Sequence, residues 1–247
     1  VGVPWLAWAC GVCDRCREGR ENLCPRAVFT GYTADGGYAE RLAVDARFAL
    51  PLDDGIDAVP AAPLLCAGLI GYRALRMCGD ATRIGLYGFG SSAHLICQLL
   101  VHEGREAVAF TRDGDEGGQE FARSLGAAWA GGSGDLPPEP LDAAIVFAPI
   151  GELVPAALRA VRAGGVVVCA GIHMSDIPSF PYELLWGERE LRSVANLTRR
   201  DGLEFLPRAA EAGIRAETTS YPLSEANRAL DDLRAGRVQG SAVLTLP

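Results

Sequence analysis

A short apolar strand, a tight glycine turn and an apolar helix follow one another between residues 83 and 103, and this order constrains the fold more than any other feature. Residues 83–87 read RIGLY, the length and composition of a buried strand. Gly88-Phe89-Gly90-Ser91-Ser92-Ala93 comes next, an apolar helical stretch runs over 92–103, and Ala107–Phe110 reads as a second strand. Strand, G-x-G-x-x-G/A and helix in that order are the fingerprint of a dinucleotide-binding βαβ unit. Gly88 permits the tight turn, Gly90 lets a pyrophosphate approach the backbone, and Ala93 lets helix and strand pack closely. The positive end of the helix dipole attracts phosphate charge to the same place.

The alternation continues downstream. A helical stretch over 117–125 ends at Gly126, strand-like 142–148 precedes a helix over 152–162, and Gly164-Gly165 leads into a strand over 166–170. Apolar runs of this kind suit parallel strands covered on both faces, so the expected fold class is α/β with a doubly wound parallel sheet over 66–200. At the end of the second strand, about 20 residues on, an NAD site carries an acidic residue that holds the ribose 2′-hydroxyl. Here that position is Thr111, followed by Arg112. No carboxylate repels a 2′-phosphate there and a guanidinium is at hand to pair with one, so NADP(H) is expected over NAD(H). Asp113, just beyond, is the contrary charge.

Four of the eight cysteines crowd near the start, where Cys10, Cys13, Cys16 and Cys24 give C-x2-C-x2-C-x7-C. Four thiolates this close can surround one tetrahedral Zn²⁺, and Gly11, Gly19 and Asn22 let the chain fold around it. A loop with little core of its own would draw folding energy from the metal. Two disulfides or an iron–sulfur cluster are the other readings. Disulfides suit small secreted modules, and the ferredoxin run C-x2-C-x2-C-x3-C-P differs in its last spacing although Pro25 follows Cys24. Four protein ligands leave no open position, so such a zinc is structural.

Composition narrows the chemistry. With 23 basic and 31 acidic residues the net charge is −8, which disfavours a nucleic-acid partner. Every basic residue is arginine, and the missing lysine removes Schiff-base, pyridoxal-phosphate and Walker-type chemistry from these residues. Apolar stretches such as 165–172 fall far short of the ~20 residues of a membrane span, and residues 1–9 carry no signal-peptide pattern, so a cytoplasmic protein is expected. The chain opens at Val1 inside VGVPWLAWA, which reads as a strand in progress.

Taken together, these stretches resemble the zinc-dependent medium-chain alcohol dehydrogenases of the bacterial zinc-binding type. The likeness is carried by Gly19-Arg20-Glu21-Asn22-Leu23-Cys24, by Gly36-Gly37-Tyr38-Ala39-Glu40, which matches a family strand, and by Ala62-Pro63-Leu64-Leu65-Cys66-Ala67-Gly68. Gly71-Tyr72, Ala74-Leu75, the glycine turn and Thr198-Arg199 extend it over essentially the whole chain. The resemblance implies a Rossmann domain at 66–200, part of a GroES-like β-rich catalytic domain with a structural zinc lobe at 1–65, and a return to that domain at 201–247. The return is expected as a helix near 201–212, a strand at Thr218–Tyr221, a helix near 224–235 and a strand at 241–246.

It further implies that Cys10, Cys13, Cys16 and Cys24 hold structural zinc and that Cys66 is a ligand of a catalytic zinc. By chemistry alone Cys66 reads more readily as a buried cysteine; Cys78, Cys97 and Cys169 keep that reading. Gly88 to Ala93 would wrap the pyrophosphate, Ala148 and Ile172 would lie along the nicotinamide, and Arg199 would contact the cofactor's phosphate or ribose. Ile70 stands where many members have threonine. The family's remaining catalytic-zinc ligands and proton relay lie ahead of the zinc lobe, so on the order of 100 further residues are expected before Val1. His94 is expected on a helix surface, His102 in solvent and His173 near the strand ends, with Phe180 and Trp186 as pocket walls.

The implied reaction is reversible oxidation of a primary or secondary alcohol to an aldehyde or ketone by a cytoplasmic homodimer or homotetramer. Two alternatives stay open: a non-catalytic NAD(P)-binding sensor or scaffold, and a zinc-free quinone reductase-like oxidoreductase. The intact cysteine lobe speaks against the second.

Overall fold

The computed structural model describes residues 1–53 and 56–246 of the 247-residue chain. The chain divides into two compact units, Val1–Ile70 with Ala195–Pro247, and Gly71–Val194. The first half of the chain forms β1 (Leu6–Trp8), α1 (Asp14–Arg17), β2 (Val28–Phe29), α2 (Ala58–Ala61), α3 (Ala67–Met77), β3 (Arg83–Tyr87), α4 (Ser91–His102), β4 (Glu106–Thr111) and α5 (Glu116–Ser124). The rest forms β5 (Trp129–Gly132), β6 (Leu141–Val146), α6 (Leu153–Ala160), β7 (Val161–Cys169), β8 (Glu190–Ser193), α7 (Arg199–Glu211), β9 (Thr218–Pro222), α8 (Ala226–Arg234) and β10 (Ser241–Thr245). No single helix among the described residues is long and apolar enough to cross a membrane.

The second unit is built on one parallel sheet with strand order β5-β4-β3-β6-β7-β8. The order reverses between β3 and β6, which creates the switch point where ligands bind at the carboxyl ends of such strands. Ile84, Leu86, Tyr87, Val108 and Phe110 are all fully buried, as strands covered on both faces require. On one face Tyr87 and Phe110 stack with centroids 3.9 Å apart and planes 5° from parallel, and Val154, Ala157 and Leu158 of α6 complete that core.

Four segments depart from the sequence expectations. β5 and β8 were not expected as strands, and Gly36–Glu40, expected as one, forms none. Its two glycines and mostly exposed side chains find no neighbouring ladder among the described residues, and an unpaired strand does not hold. The helix expected over 152–162 stops at Ala160, because Val161 is buried and pairs with Leu141 at the start of β7.

In the first unit β1 pairs antiparallel with β2, and β9 pairs parallel with β10. α7 begins with a capping box, Thr198 accepting from the Asp201 N–H while the Asp201 carboxylate accepts from the Thr198 N–H. Leu6, Leu50, Leu69, Leu197 and Phe205 are among the large, buried side chains of this unit.

Asp142 pins the amino ends of β3 and β6 together. Its Oδ2 accepts from the Thr82 N–H at 2.8 Å, the Thr82 hydroxyl at 2.7 Å and the Arg83 N–H at 2.9 Å, and its Oδ1 from Arg162 Nε at 2.7 Å. Burial alone would raise its pKa, but these four donors outweigh it and hold the carboxyl well below the usual carboxylate range. A depressed folded pKa contributes stability above the unfolded value of about 4, and that stability is lost as pH falls towards the folded value. Asp142→Asn should therefore lower stability by about 1.5–3 kcal/mol at neutral pH in urea unfolding, with the gap to wild type closing below about pH 4. Tyr87 offers the opposite case, since its hydroxyl is buried with no hydrogen-bond partner among the described residues. Tyr87→Phe keeps the stacked ring, removes that unmet group and should raise the melting temperature by a few degrees.

Candidate functional site

The metal lobe is folded by turns rather than by a core. Gly11 and Gly19 take φ of +73° and +70° on either side of the single helical turn α1, reversing the chain twice within the span of the four cysteines. The Sγ atoms of Cys10, Cys13, Cys16 and Cys24 all lie within 4.8 Å of one another, and Cys10 and Cys16 are 3.9 Å apart. A tetrahedron of sulfurs with metal–sulfur bonds of ~2.3 Å has edges of about 3.8 Å, so the set fits one zinc ion closely. The Cys13 N–H donates to Cys10 Sγ at 3.3 Å and the Arg26 N–H to Cys24 Sγ at 3.4 Å, the kind of support that orients metal thiolates.

Two of the four sulfurs stand in opposite electrostatic settings. The Val12 N–H, the Arg26 guanidinium and the Cys13 N–H bring Cys10 down to about 5, whereas burial pushes Cys16 up to about 12. A divalent cation among them is the charge that would let all four be thiolates at once. Among residues 10–24 only Glu21, Asn22 and Cys24 are buried. Glu21 Oε1 accepts from Arg199 Nε at 2.9 Å, and Asn22 Nδ2 donates to the Ala195 carbonyl at 2.6 Å. Sequence reasoning gave Asn22 only a turn-forming role and Glu21 none of its own, since a glutamate in a short arginine-rich loop reads as solvated surface.

Cys66 is exposed, at the end of a single 3-10 turn spanning Ala62–Leu65. Cys10, Cys13, Cys16 and Cys24 are the one group of three or more metal-binding side chains among the described residues, and Cys66 is not part of it. Arg199, the first residue of α7, turns to Glu21, with its guanidinium 5.0 Å from the Phe48 ring centroid.

The nucleotide cradle lies in the other unit, at the switch point of the parallel sheet. Gly88 has φ of +88°, and a Cβ there would lie 2.7 Å from the Ala148 Cβ, so glycine is required twice over. At Gly90 a Cβ would meet nothing within 4 Å, which leaves the backbone open to a ligand. No side chain caps α4, whose Ser91, Ser92 and Ala93 form the first turn of N–H groups. Phe89 is half-buried with its ring edge against Phe121 at 6.0 Å. Ala148 is half-buried just past β6, and Ile172 is exposed past β7.

The two residues named for the cofactor ribose behave differently. The Thr111 hydroxyl donates to the Arg112 carbonyl at 3.1 Å and lies 3.3 Å from the Gly131 carbonyl, and the residue is buried. That hydroxyl is spent inside the fold. Arg112 is exposed and makes no ion pair among the described residues, while the Asp113 carboxylate lies over Gly132, 2.5 Å from where its Cβ would be.

Three further expectations are corrected. His94 is fully buried, its Nδ1 donating to the Gly90 carbonyl at 3.1 Å and its ring centroid 6.0 Å from that of Phe121, because the first turn of α4 faces α5. Phe180, expected as a pocket wall, is partly buried and packs against the core that includes α6. Trp186 sits with Ala163 and Gly164 near the amino end of β7, away from the carboxyl ends where a dinucleotide binds. His102 and His173 are both exposed, His173 with φ of +55°.

Comparisons with known proteins agree with one another. Residues 1–54 match the alcohol dehydrogenase GroES-like domain. A probable alcohol dehydrogenase AdhA of Mycobacterium tuberculosis is 49% identical over 249 residues, covering all of this chain and 71% of that protein. An alcohol dehydrogenase of Geobacillus stearothermophilus is 32% identical over 258 residues, again covering the whole chain and 75% of that protein. Among solved structures, Helicobacter pylori CAD complexed with NADP(H) superposes with a TM-score of 0.86 at 22% identity, over 98% of this chain and 73% of that one. Acetophenone reductase from Geotrichum candidum, in complex with NAD, gives 0.88 at 23% identity over 98% and 72%. By identity along its entire length to named members, the chain belongs to the zinc-dependent medium-chain alcohol dehydrogenase family.

Proposed function

We propose that this chain serves hydride transfer between a primary or secondary alcohol and a nicotinamide cofactor, giving the aldehyde or ketone. The observation that carries this is the 49% identity to a probable alcohol dehydrogenase over the whole chain, which takes in both the cysteine lobe and the glycine cradle. When bound, the nicotinamide supplies the hydride acceptor and a zinc ion at Cys66 a Lewis acid. The chain's own residues bind and orient. Gly88, Phe89, Gly90, Ser91, Ser92 and Ala93 receive the pyrophosphate through main-chain N–H groups at the α4 terminus. Ala148 and Ile172 border the nicotinamide, Arg199 offers a guanidinium to the cofactor's phosphate or ribose, and Cys66 is the one catalytic-metal ligand assigned in this chain. The metal of Cys10, Cys13, Cys16 and Cys24 is structural, because four thiolates fill its coordination.

NADP(H) is the favoured cofactor. The reading rests on Arg112, exposed and without an ion pair among the described residues, with the Thr111 hydroxyl engaged elsewhere and Asp113 lying over Gly132. A homodimer or homotetramer fits the sheet's exposed terminal strand β8, and a cytoplasmic location belongs to the same reading.

Alcohol-dependent reduction of NADP⁺ and NAD⁺, followed by nicotinamide absorbance, tests the reaction and the cofactor together. NADP⁺ should give the higher kcat/KM, and Arg112→Ala should lower it roughly tenfold or more while leaving NAD⁺ within about twofold. Preference for NAD⁺ would overturn the cofactor assignment, and no turnover of any primary or secondary alcohol would overturn the reaction. For the lobe, Cys24→Ser should release the zinc bound there on metal analysis and lower the melting temperature, since metal binding is part of its folding energy.

A further inference from the structure

We infer that Glu21 is a positioning residue that aims Arg199, so that the metal lobe sets the affinity for the cofactor through a contact of its own. The inference rests on the reading of Arg199 as a cofactor contact. Glu21 opens the single 3-10 turn Glu21–Leu23, inside the stretch bounded by Cys16 and Cys24. Its side chain is 9% exposed, and only Oε1 is matched, by Arg199 Nε at 2.9 Å. Oε2 is buried with no hydrogen-bond partner among the described residues, so Arg199 is the cation that answers this buried carboxylate.

The same segment is gripped a second time. Asn22, next in the turn, donates to the Ala195 carbonyl at 2.6 Å, four residues ahead of Arg199. Two consecutive residues of the lobe thus hold the chain entering α7, and the Thr198–Asp201 capping box fixes the helix start between them. Arg199 itself is held from three sides, by Glu21 on Nε, by the Arg47 carbonyl 3.4 Å from Nη1, and by the Phe48 ring beneath the guanidinium. Nη2 makes no hydrogen bond among the described residues, and 43% of the side chain remains exposed. A guanidinium oriented in this way, with donors to spare, is preorganised for an anion. A free arginine must give up rotamer entropy to reach the same state.

A carboxylate beside the arginine also weakens its field, so orientation and neutralisation act in opposite directions. Two variants separate them. Glu21→Gln keeps the reach and the Oε1 acceptor but removes the charge; Glu21→Asp keeps the charge but withdraws the acceptor by one methylene. The measurement is the Kd for NADPH, from cofactor fluorescence, in protein whose zinc content and melting temperature match the parent. If Glu21 positions Arg199, Glu21→Asp should weaken binding roughly tenfold, Glu21→Gln should stay within about threefold, and Glu21→Asp should add nothing to Arg199→Gln. Tighter binding by Glu21→Gln with no loss in Glu21→Asp would overturn the positioning role. If Arg199→Gln itself binds NADPH like the parent, the reading of Arg199 falls, and the inference with it. A drop for Arg199→Gln with none for Glu21→Asp defeats the inference alone.

Discussion

One backbone conformation supports everything the sheet offers to a ligand. At Gly88 the chain leaves β3 with φ of +88°, close enough to Ala148 that a Cβ would overlap both its Cβ and its N. The strand ends on either side of the switch point are drawn together by ladder bonds that continue past the strands. The Gly88 N–H donates to the Phe110 carbonyl at 2.9 Å, and the Phe147 N–H to the Tyr87 carbonyl at 2.8 Å. Three strands are therefore tied at the point where α4 begins. Any side chain at Gly88 would have to part β3 from β6 or abandon the left-handed turn, and either change moves the helix terminus that would face a phosphate.

The cysteine lobe is ordered on a different principle. A sheet core gains by removing apolar surface from water, but the buried residues of the lobe are a thiol, a carboxylate and an amide. The carboxylate and the amide cost free energy on burial unless each has a partner. The partners are Arg199 for Glu21 and the Ala195 carbonyl for Asn22, while the Cys24 thiol stands among three other cysteines in a set that fits a metal ion. The lobe is consequently specified by directional contacts. Its folding should depend on metal far more than that of the parallel sheet, whose strands bury Ile84, Leu86 and Phe110 completely.

What the sequence disclosed follows from these two principles. β3, α4 and β4 were legible because an apolar run, a glycine punctuation and a second apolar run all agreed. β5 was not, because its four residues WAGG carry two glycines that a propensity argument counts against a strand. The structure shows their use: the Trp129 ring lies where a Cβ of Gly131 would be, 2.2 Å from its Cη2, which lets it reach Phe110 at a centroid distance of 5.2 Å. β8 was illegible for another reason. All four of its residues are exposed, so it exists through its ladder with β7 and leaves no hydrophobic pattern to read. At the site, the spacing of the cysteines announced a metal cluster, whereas the pairing of Glu21 with Arg199 joins positions 178 residues apart, and no local signal encodes that.

The absence of lysine bears on how such a chain would hold a phosphate. Every side-chain cation other than histidine is a guanidinium, charged throughout the range in which a protein stays folded and shaped for two parallel bonds to an oxyanion. Arg112 and Arg199 both present such a fork. The carboxylates beside them are Asp113 in sequence and Glu21 in contact. Glu21 is held in place by Arg199, whereas Asp113 is exposed at a loop. The two arginines thus stand in different electrostatic settings, one steadied by a fixed counter-charge and the other open to whatever anion arrives.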